Sequence, residues 1–326
     1  MDNIIKTKVV GIDIGVAKTT IAVVDIRGFI LASEVINTPE YPTVDAFVTA
    51  LSEQIVTLAE STGGYLEIRS VGISAPSANY LTGCIENAGN MPWKGVIPLA
   101  AMLRDRLGLA VALGNDAHAT AMGELVYGSA HGMQTFVVIS LGHGGLGSSL
   151  YLNGHPHLGA TGSAGEFGHC CVVDGGRQCT CGRKGCLEEY ASDRGIIQTA
   201  RELMAASDEP SLMRSLEELT PMTIGACVDQ GDAMAKEVYR RMGDILGTGL
   251  ANYATLVNPE AIILTGELVE ASKWFLEATE QAFEQHVFRN VKGKAKVTVS
   301  KLKNGEREVL GASVLAWQVQ EYSLFK

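Results

Sequence analysis

The chain opens on an apolar, β-branched run from Lys8 to Val24 that is broken at Gly15. It reads as two strands, and Asp25-Ile26-Arg27-Gly28 marks a turn into a third, Phe29 to Val35. The period then changes. Phe47, Leu51, Ile55 and Leu58 recur at helical spacing, so Thr43 to Thr62 is predicted to be a helix, opened by Pro42 and Thr43 and closed by Gly63-Gly64. A short buried strand follows at Ser70 to Ser74, then a helix at Pro98 to Leu107, a strand at Leu109 to Leu113 and a helix at Ala117 to Val126.

After Asn115-Asp116 and that helix the opening pattern returns. Thr135 to Ser140 is a strand, Gly142 to Gly147 a glycine-rich turn, and Ser148 to Leu152 the return strand. The echo predicts an internal duplication with one hairpin per domain. Helices near Ser192 to Ala205, Ala233 to Leu256 and Ser272 to Phe288 alternate with strands at Ala261 to Thr265 and Lys296 to Ser300, and a last helix runs from Gly311 to Tyr322. Alternation of this kind means α/β layers.

Composition narrows the picture. A chain of 326 residues, 46% hydrophobic, is long enough for two domains and a sizeable interior. The net charge of −10 argues against a nucleic-acid surface, which carries a basic face. Residues Met1 to Gly15 hold Asp2 and Asp13 and no long apolar core, so a signal peptide is not expected, and no stretch reaches the roughly 20 apolar residues of a membrane span. A cytoplasmic protein is expected.

Three of the seven cysteines, Cys179, Cys181 and Cys186, fall within eight residues, with His169 just upstream. In a reducing compartment such crowding points to a metal. Three thiolates and one imidazole complete the tetrahedron that zinc prefers and leave no position for water, so the expected role is structural. The alternative is a set of buried thiols that lie close together. Cys170 and Cys171 are expected to be core or loop residues, and Cys84 and Cys227 small core hydrophobes.

At these residues the sequence resembles the ROK family (repressors, open reading frames, kinases), especially its bacterial glucokinase-like members. The resemblance lies in Gly165-Glu166-Phe167-Gly168-His169, followed by Cys179-x-Cys181-Gly-x-x-Gly-Cys186-Leu-Glu188. It continues through Asn90-Met91-Pro92-Trp93, Asn115-Asp116-Ala117, Asn258-Pro259-Glu260 and Leu310-Gly311-Ala312. It implies the actin-like ATPase fold, two ribonuclease-H-like α/β domains around a central cleft. It also implies transfer of the γ-phosphoryl group of ATP to a sugar hydroxyl, usually the 6-OH.

By the same resemblance Asp116 matches the catalytic base; read alone, Asp116 is better explained as the N-cap of the following helix. Glu166, His169 and Glu188, with Asn90, Asn115 and Asp116, match the substrate-binding set for a hexose or hexosamine. Asp13, Gly15 and Lys18 fall on the first phosphate hairpin, where the aspartate helps hold Mg²⁺, and Gly142, His143 and Gly144 on the second; Gly266 lies beside the adenosine pocket. Residues 1–118, with a C-terminal helix at 311–326, are expected to form the smaller domain and 119–310 the larger. Family members are often dimers or tetramers.

The resemblance has gaps on the nucleotide side. The family hairpin reads Asp-x-Gly-Gly-Thr, whereas this chain has Asp13-Ile14-Gly15-Val16-Ala17; the second hairpin usually reads Leu-Gly-Thr-Gly and here is Leu141-Gly142-His143-Gly144. Each lost hydroxyl donor to a charged oxygen is worth roughly 1.5–3 kcal/mol. His143 either replaces one donor or is an exposed turn residue. Glu267 adds negative charge where glycine is common, and His118, where the family usually has Asn, is expected to be packed in its helix. Two readings of different class follow: an ATP-dependent hexose kinase, and a sugar-binding sensor that lost the chemistry. A third, a DNA-binding repressor, is the least favoured, because the first strand begins too early for a helix-turn-helix domain and the charge is wrong.

Overall fold

A computed structural model describes residues 6–89, 91–142, 145–303 and 305–319, without the side chain of Glu270. In chain order the strands and helices are β1 (Lys8–Ile14), β2 (Lys18–Asp25), β3 (Ile30–Asn37), α1 (Val44–Ser61), β4 (Ile68–Ala75), β5 (Ala78–Asn79), β6 (Cys84–Glu86), β7 (Val96–Ile97), α2 (Leu99–Leu107), β8 (Ala110–Asn115) and α3 (Asp116–Tyr127). Then come β9 (Phe136–Gly142), β10 (Gly145–Leu152), β11 (His155–Pro156), α4 (Asp193–Ala206), α5 (Pro221–Asp229), α6 (Ala233–Val257), β12 (Ala261–Thr265), α7 (Ser272–His286), β13 (Lys296–Val299) and α8 (Arg307–Gln318).

Two compact units of roughly equal length result. The first comprises residues 1–131, 158–163 and 301–326, the second 132–157 and 164–300. Each holds a five-stranded sheet of the same plan, β3-β2-β1-β4-β8 in one and β11-β10-β9-β12-β13 in the other. In both, the central strand (β1 or β9) pairs antiparallel with the strand that follows it (β2 or β10) and parallel with the strand three further on (β4 or β12). The repeated hairpin expected from sequence is therefore a repeated sheet.

In the first unit, alternate residues of β1 serve two layers. Val10, Ile12 and Ile14 pack with Phe47, Leu51 and Ile55 of α1 and Leu99 and Leu103 of α2, whereas Val9 joins Val309, Leu310 and Ala316 of α8. At two strand positions facing α8 there is no room for a side chain. A Cβ on Gly11 would collide with Val309 O, and one on Gly72 of β4 with Ala312 O and Ala316 N. Ser70 Oγ instead donates to Ala316 O at 2.7 Å. Helix α8 meets α3 just as closely, since a Cβ on Gly311 would strike Ala119 O.

These contacts correct the domain boundaries read from sequence. The final helix begins at Arg307, not Gly311, and its predicted end beyond residue 319 lies outside the described residues. Because α3 packs against α8, the first unit runs on to residue 131 rather than stopping near 118, and it is no smaller than the second. It also reclaims residues 158–163, where Asn79 Nδ2 donates to Thr161 O at 3.4 Å. The glycine-rich stretch after residue 142 is already strand from Gly145 onward.

In the second unit, Val137, Ile139, Ile262 and Leu264 of the sheet pack with Leu246 and Leu250 of α6 and Phe275 and Phe283 of α7. Gly243 and Gly247 let α6 and α7 approach closely; a Cβ on Gly243 would sit 2.8 Å from Phe275 O. No helix among the described residues is long and apolar enough to cross a membrane.

The glycine floor beneath α8 gives a direct test. Gly72→Ala sets a methyl group against two backbone atoms that cannot rotate away, so a loss of at least about 3 kcal/mol of stability, or insoluble protein, is expected. Gly89→Ala, where a Cβ meets nothing within 4 Å, should leave the thermal midpoint unchanged. Equal midpoints for both variants would refute the packing account.

Candidate functional site

The cysteine cluster lies in the second unit, on a loop whose glycines are required by its path. Gly182 and Gly185 have φ of +88° and +75°, in the region that favours glycine. The turn is closed by Cys179 N donating to Arg183 O at 2.8 Å, and Cys181 N points to Cys179 Sγ at 3.5 Å. His169 Nδ1 lies 3.7 Å from Cys179 Sγ, Cys181 Sγ lies 3.7 Å from Cys186 Sγ, and the four ligand atoms all fall within 4.8 Å of one another. All seven cysteines are free thiols.

These distances fit a metal and not a disulfide. A disulfide needs about 2.05 Å between sulfurs, whereas a tetrahedron with Zn–S bonds of about 2.3 Å has edges near 3.8 Å. Burial, then the neighbouring Glu188, pushes the Cys179 thiol above its ordinary range. A bound dication reverses that preference, because a coordinating thiol is deprotonated outright. Arg177 anchors the loop. Its guanidinium stacks on Tyr190 at 4.6 Å and donates to Glu189 O at 2.7 Å and Gly195 O at 3.1 Å.

The three residues of this unit that the sequence pattern assigns to sugar binding are set around the cluster. Gly165, at φ +96°, and Gly168, whose Cβ would strike Leu146 O, carry the chain tightly over β10. Phe167 between them is buried and stacks on Tyr253 at 4.3 Å, while Glu166 is left exposed and His169 half-buried. Glu188 is only 5% exposed; its Oε1 accepts from Cys179 Sγ at 3.0 Å and lies 3.5 Å from His169 Nδ1. With Nδ1 turned to the thiolates, Nε2 of His169 is the ring nitrogen left for another partner. Glu188 Oε2 lies 2.6 Å from where a Cβ on Gly145 would stand, so β10 reaches the cluster only as glycine.

Gly142 and Gly266 also meet here. Gly266, at φ +93°, is pressed against Leu141, and Glu267 Oε2 lies 3.0 Å from the Cβ position of Gly142. The glycine expected beside a nucleotide is thus joined by a carboxylate. His143 and Gly144 lie outside the described residues, as does Asn90.

In the first unit a second group gathers at the carboxyl ends of the parallel strands, where open α/β sheets place ligands. Asp13 of β1 pairs in register with Ser74 of β4, and Ser74 Oγ donates to Asp13 Oδ1 at 3.0 Å. Gly15 and Lys18 close the β1–β2 turn through Gly15 N donating to Lys18 O at 2.9 Å. At the end of β8, Asn115 Oδ1 caps α3 by accepting from Ala117 N at 3.0 Å. Asp116 is therefore the first residue of the helix rather than its N-cap, although its Oδ1 also accepts from Ala117 N, at 2.7 Å. Desolvation by the surrounding protein raises its carboxyl above the carboxylate range against that hydrogen bond. His118 is buried, and burial lowers its imidazole to about 4; its ring tilts against Tyr80 at 5.9 Å.

Asp13 is raised to about 7, first by burial, then by Glu308 of α8 and by Asp116, with Ser74 and Lys18 opposing. Sequence reading missed Ser74 and Glu308. Ser74 belongs to no motif, and Glu308 precedes the point at which the last helix was expected to start. Asp13, Asp116 and Glu308 thus bring negative charge together near the end of β1.

The raised Asp13 carboxyl has a stability consequence of defined sign. The folded chain holds the Asp13 proton up to about pH 7, whereas an unfolded aspartate releases it near pH ~4. Stability from this group is therefore complete below pH ~4 and is lost as pH rises through about 7. Asp13→Asn should raise the thermal midpoint at pH 8 by at least about 2 °C and remove that part of the pH dependence. A difference between variant and wild type that does not change with pH would refute it.

A model of the ROK family matches residues 9–319. A glucokinase of Streptomyces coelicolor is 32% identical over 315 residues, covering 94% of this chain and 96% of the relative. A ROK family glucokinase from Streptomyces griseus, solved in complex with glucose and AMPPNP, superposes with a TM-score of 0.78 at 30% identity over 96% of this chain and all of that one. A ROK family transcriptional regulator superposes at 0.82, with 26% identity over 96% of this chain and 78% of its own. From the match along almost its whole length, the chain belongs to the ROK family and is glucokinase-like, with the actin-like ATPase fold of that family.

Proposed function

We propose that the protein is an ATP- and Mg²⁺-dependent hexose kinase that phosphorylates the 6-hydroxyl of a glucose-like sugar or hexosamine. The observation that carries this reading is the pair of groups just described, Asp116 with Asp13 at the strand ends of one unit and Glu166, His169 and Glu188 around the metal cluster of the other.

In this reading Asp116 accepts the proton of the attacking hydroxyl. The Ala117 N–H bond fixes its Oδ1, and a carboxyl raised above the ordinary range is the better base. Glu166, Glu188 and His169 Nε2, with Asn90 and Asn115, bind the remaining hydroxyls, each carboxylate accepting and each amide both donating and accepting. Zinc is the metal assigned to His169, Cys179, Cys181 and Cys186; it braces the loop and takes no part in the transfer. Asp13, steadied by Ser74, would hold Mg²⁺, which neutralises charge on the transferred phosphoryl group. Gly15, Lys18, Gly142, His143, Gly144 and Gly266 are assigned to the nucleotide, and the glycines allow the backbone to approach phosphate. A cytoplasmic location and a dimer or tetramer accord with the same reading.

The second reading is a sugar sensor without catalysis. The residues at Val16 and Ala17, which offer no hydroxyl, and the Glu267 carboxylate beside Gly142 favour it.

A coupled assay with Mg-ATP across hexoses and hexosamines decides between them: turnover of at least one sugar is expected, and none across the panel sinks the kinase. Asp116→Asn should lower kcat by about 10²–10⁴ while sugar affinity by calorimetry stays within a few-fold; normal turnover would remove Asp116 as the base. Sugar binding without nucleotide binding would establish the sensor. Metal analysis should find one zinc per chain, and Cys181→Ser should lose it and melt at lower temperature. Retention of full zinc by that variant would refute the ligand assignment.

A further inference from the structure

Two thiols beside the cluster, Cys170 and Cys171, have no place in the proposed reaction, and both are exposed. Cys171 stands directly opposite Cys186, a proposed metal ligand, in an isolated antiparallel bridge. The flanking hydrogen bonds define the type of pair. Val172 N donates to Gly185 O at 2.8 Å and Leu187 N to Cys170 O at 3.0 Å, so Cys171 and Cys186 exchange no bonds themselves. Such a non-hydrogen-bonded pair has Cα atoms about 4.5 Å apart and side chains on one face. Disulfides accept Cα separations of roughly 4.4–6.8 Å. Cys171 Sγ already rests over Gly185, 3.2 Å from where a Cβ there would stand, so no side chain separates it from its neighbour. Cys170, one residue back, points to the other face of the ladder.

We propose that Cys171 is a thiol-oxidation site at which a hydroperoxide links Cys171 to Cys186 and takes apart the metal centre. In the first step the Cys171 thiolate attacks the peroxide: an S–O bond forms, the O–O bond breaks, and the departing hydroxide or alkoxide takes up a proton and leaves as water or alcohol. The sulfur is oxidised to sulfenic acid and the peroxide is reduced by two electrons. In the second step the Cys186 thiolate attacks the Cys171 sulfur; the S–S bond forms, the S–O bond breaks, and the expelled hydroxide takes up a proton and leaves as water. Cys186 no longer has a thiolate to donate, so the cluster falls from four ligands to three. Because Cys186 precedes Leu187 and Glu188 in the same turn, the change is transmitted to the sugar-side carboxylate. A dithiol reductant returns the disulfide to two thiols and is itself oxidised to a disulfide.

Release of the metal rests on the zinc reading of the cluster, whereas formation of the disulfide does not. The full chain as purified is treated with near-stoichiometric hydrogen peroxide. Peptide mass mapping under non-reducing conditions identifies the linkage, and a chromogenic chelator measures free metal. The expected result is a Cys171–Cys186 linkage and one equivalent of metal released per disulfide, both reversed by dithiothreitol. Cys171→Ser should slow metal release at least ten-fold, and Cys170→Ser should behave as wild type; because both side chains are exposed, folding is not at stake, and an unchanged thermal midpoint checks it. Equal metal loss from Cys171→Ser and wild type, or a linkage confined to Cys181 and Cys186, overturns the proposal. Protein that carries no metal but forms the Cys171–Cys186 linkage overturns the zinc reading and leaves the oxidation site standing.

Discussion

The seating of α8 on a floor of glycines governs the first unit. Gly11 and Gly72 contribute no side chain, so the helix backbone lies directly on the sheet, and Gly311 repeats the device against α3. Dispersion is strongest at such short range, and nothing on that face can be enlarged without lifting the helix. The polar positions of the face are then accounted for one by one. Ser70 bonds a helix carbonyl at one end, and Ser74 and Asp13 bond each other at the other, where the first turn of α8 brings Glu308 close enough to raise Asp13. The contact that holds the layer together also concentrates negative charge at the ends of the parallel strands.

The second unit achieves its positioning by other means. Glu166, His169 and Glu188 come from short 3-10 turns and loops, which by themselves hold side chains loosely. Rigidity comes from outside the turns, through the Cys and His donors, Arg177 stacked on Tyr190 and bonded to backbone carbonyls, and Phe167 locked on Tyr253. Two routes to a fixed carboxylate thus coexist in one chain: a helix N-terminus in one unit and a braced loop in the other.

Much of this was legible in the residues. Helical spacing of Phe47, Leu51, Ile55 and Leu58 marked α1, and all four are buried. The spacing of Cys179, Cys181 and Cys186 announced their convergence, because short ligand spacing needs only local geometry. The sequence was silent where distance along the chain matters. Ser74 and Glu308 act on Asp13 only because β4 and α8 come together from opposite ends of the chain, and no local pattern encodes that. The domain boundary near residue 118 was misplaced for the same reason, since α3 is claimed by a helix nearly two hundred residues later. The pairing of Cys171 with Cys186 was hidden too; adjacent cysteines look like loop residues until the register is known.

The return of α8 to the first unit also bears on synthesis at the ribosome. The strands of that unit emerge early, yet the helix that covers their glycine face is made only after the whole second unit. At ribosomal speeds of about 5–20 residues per second, that face stays bare for on the order of ten seconds or more. The second unit is unbroken but for six residues lent to its neighbour, so it can fold as it emerges. The half of the protein that is translated first is thus the half that is completed last, and its uncovered apolar strands are a natural place for chaperones to act.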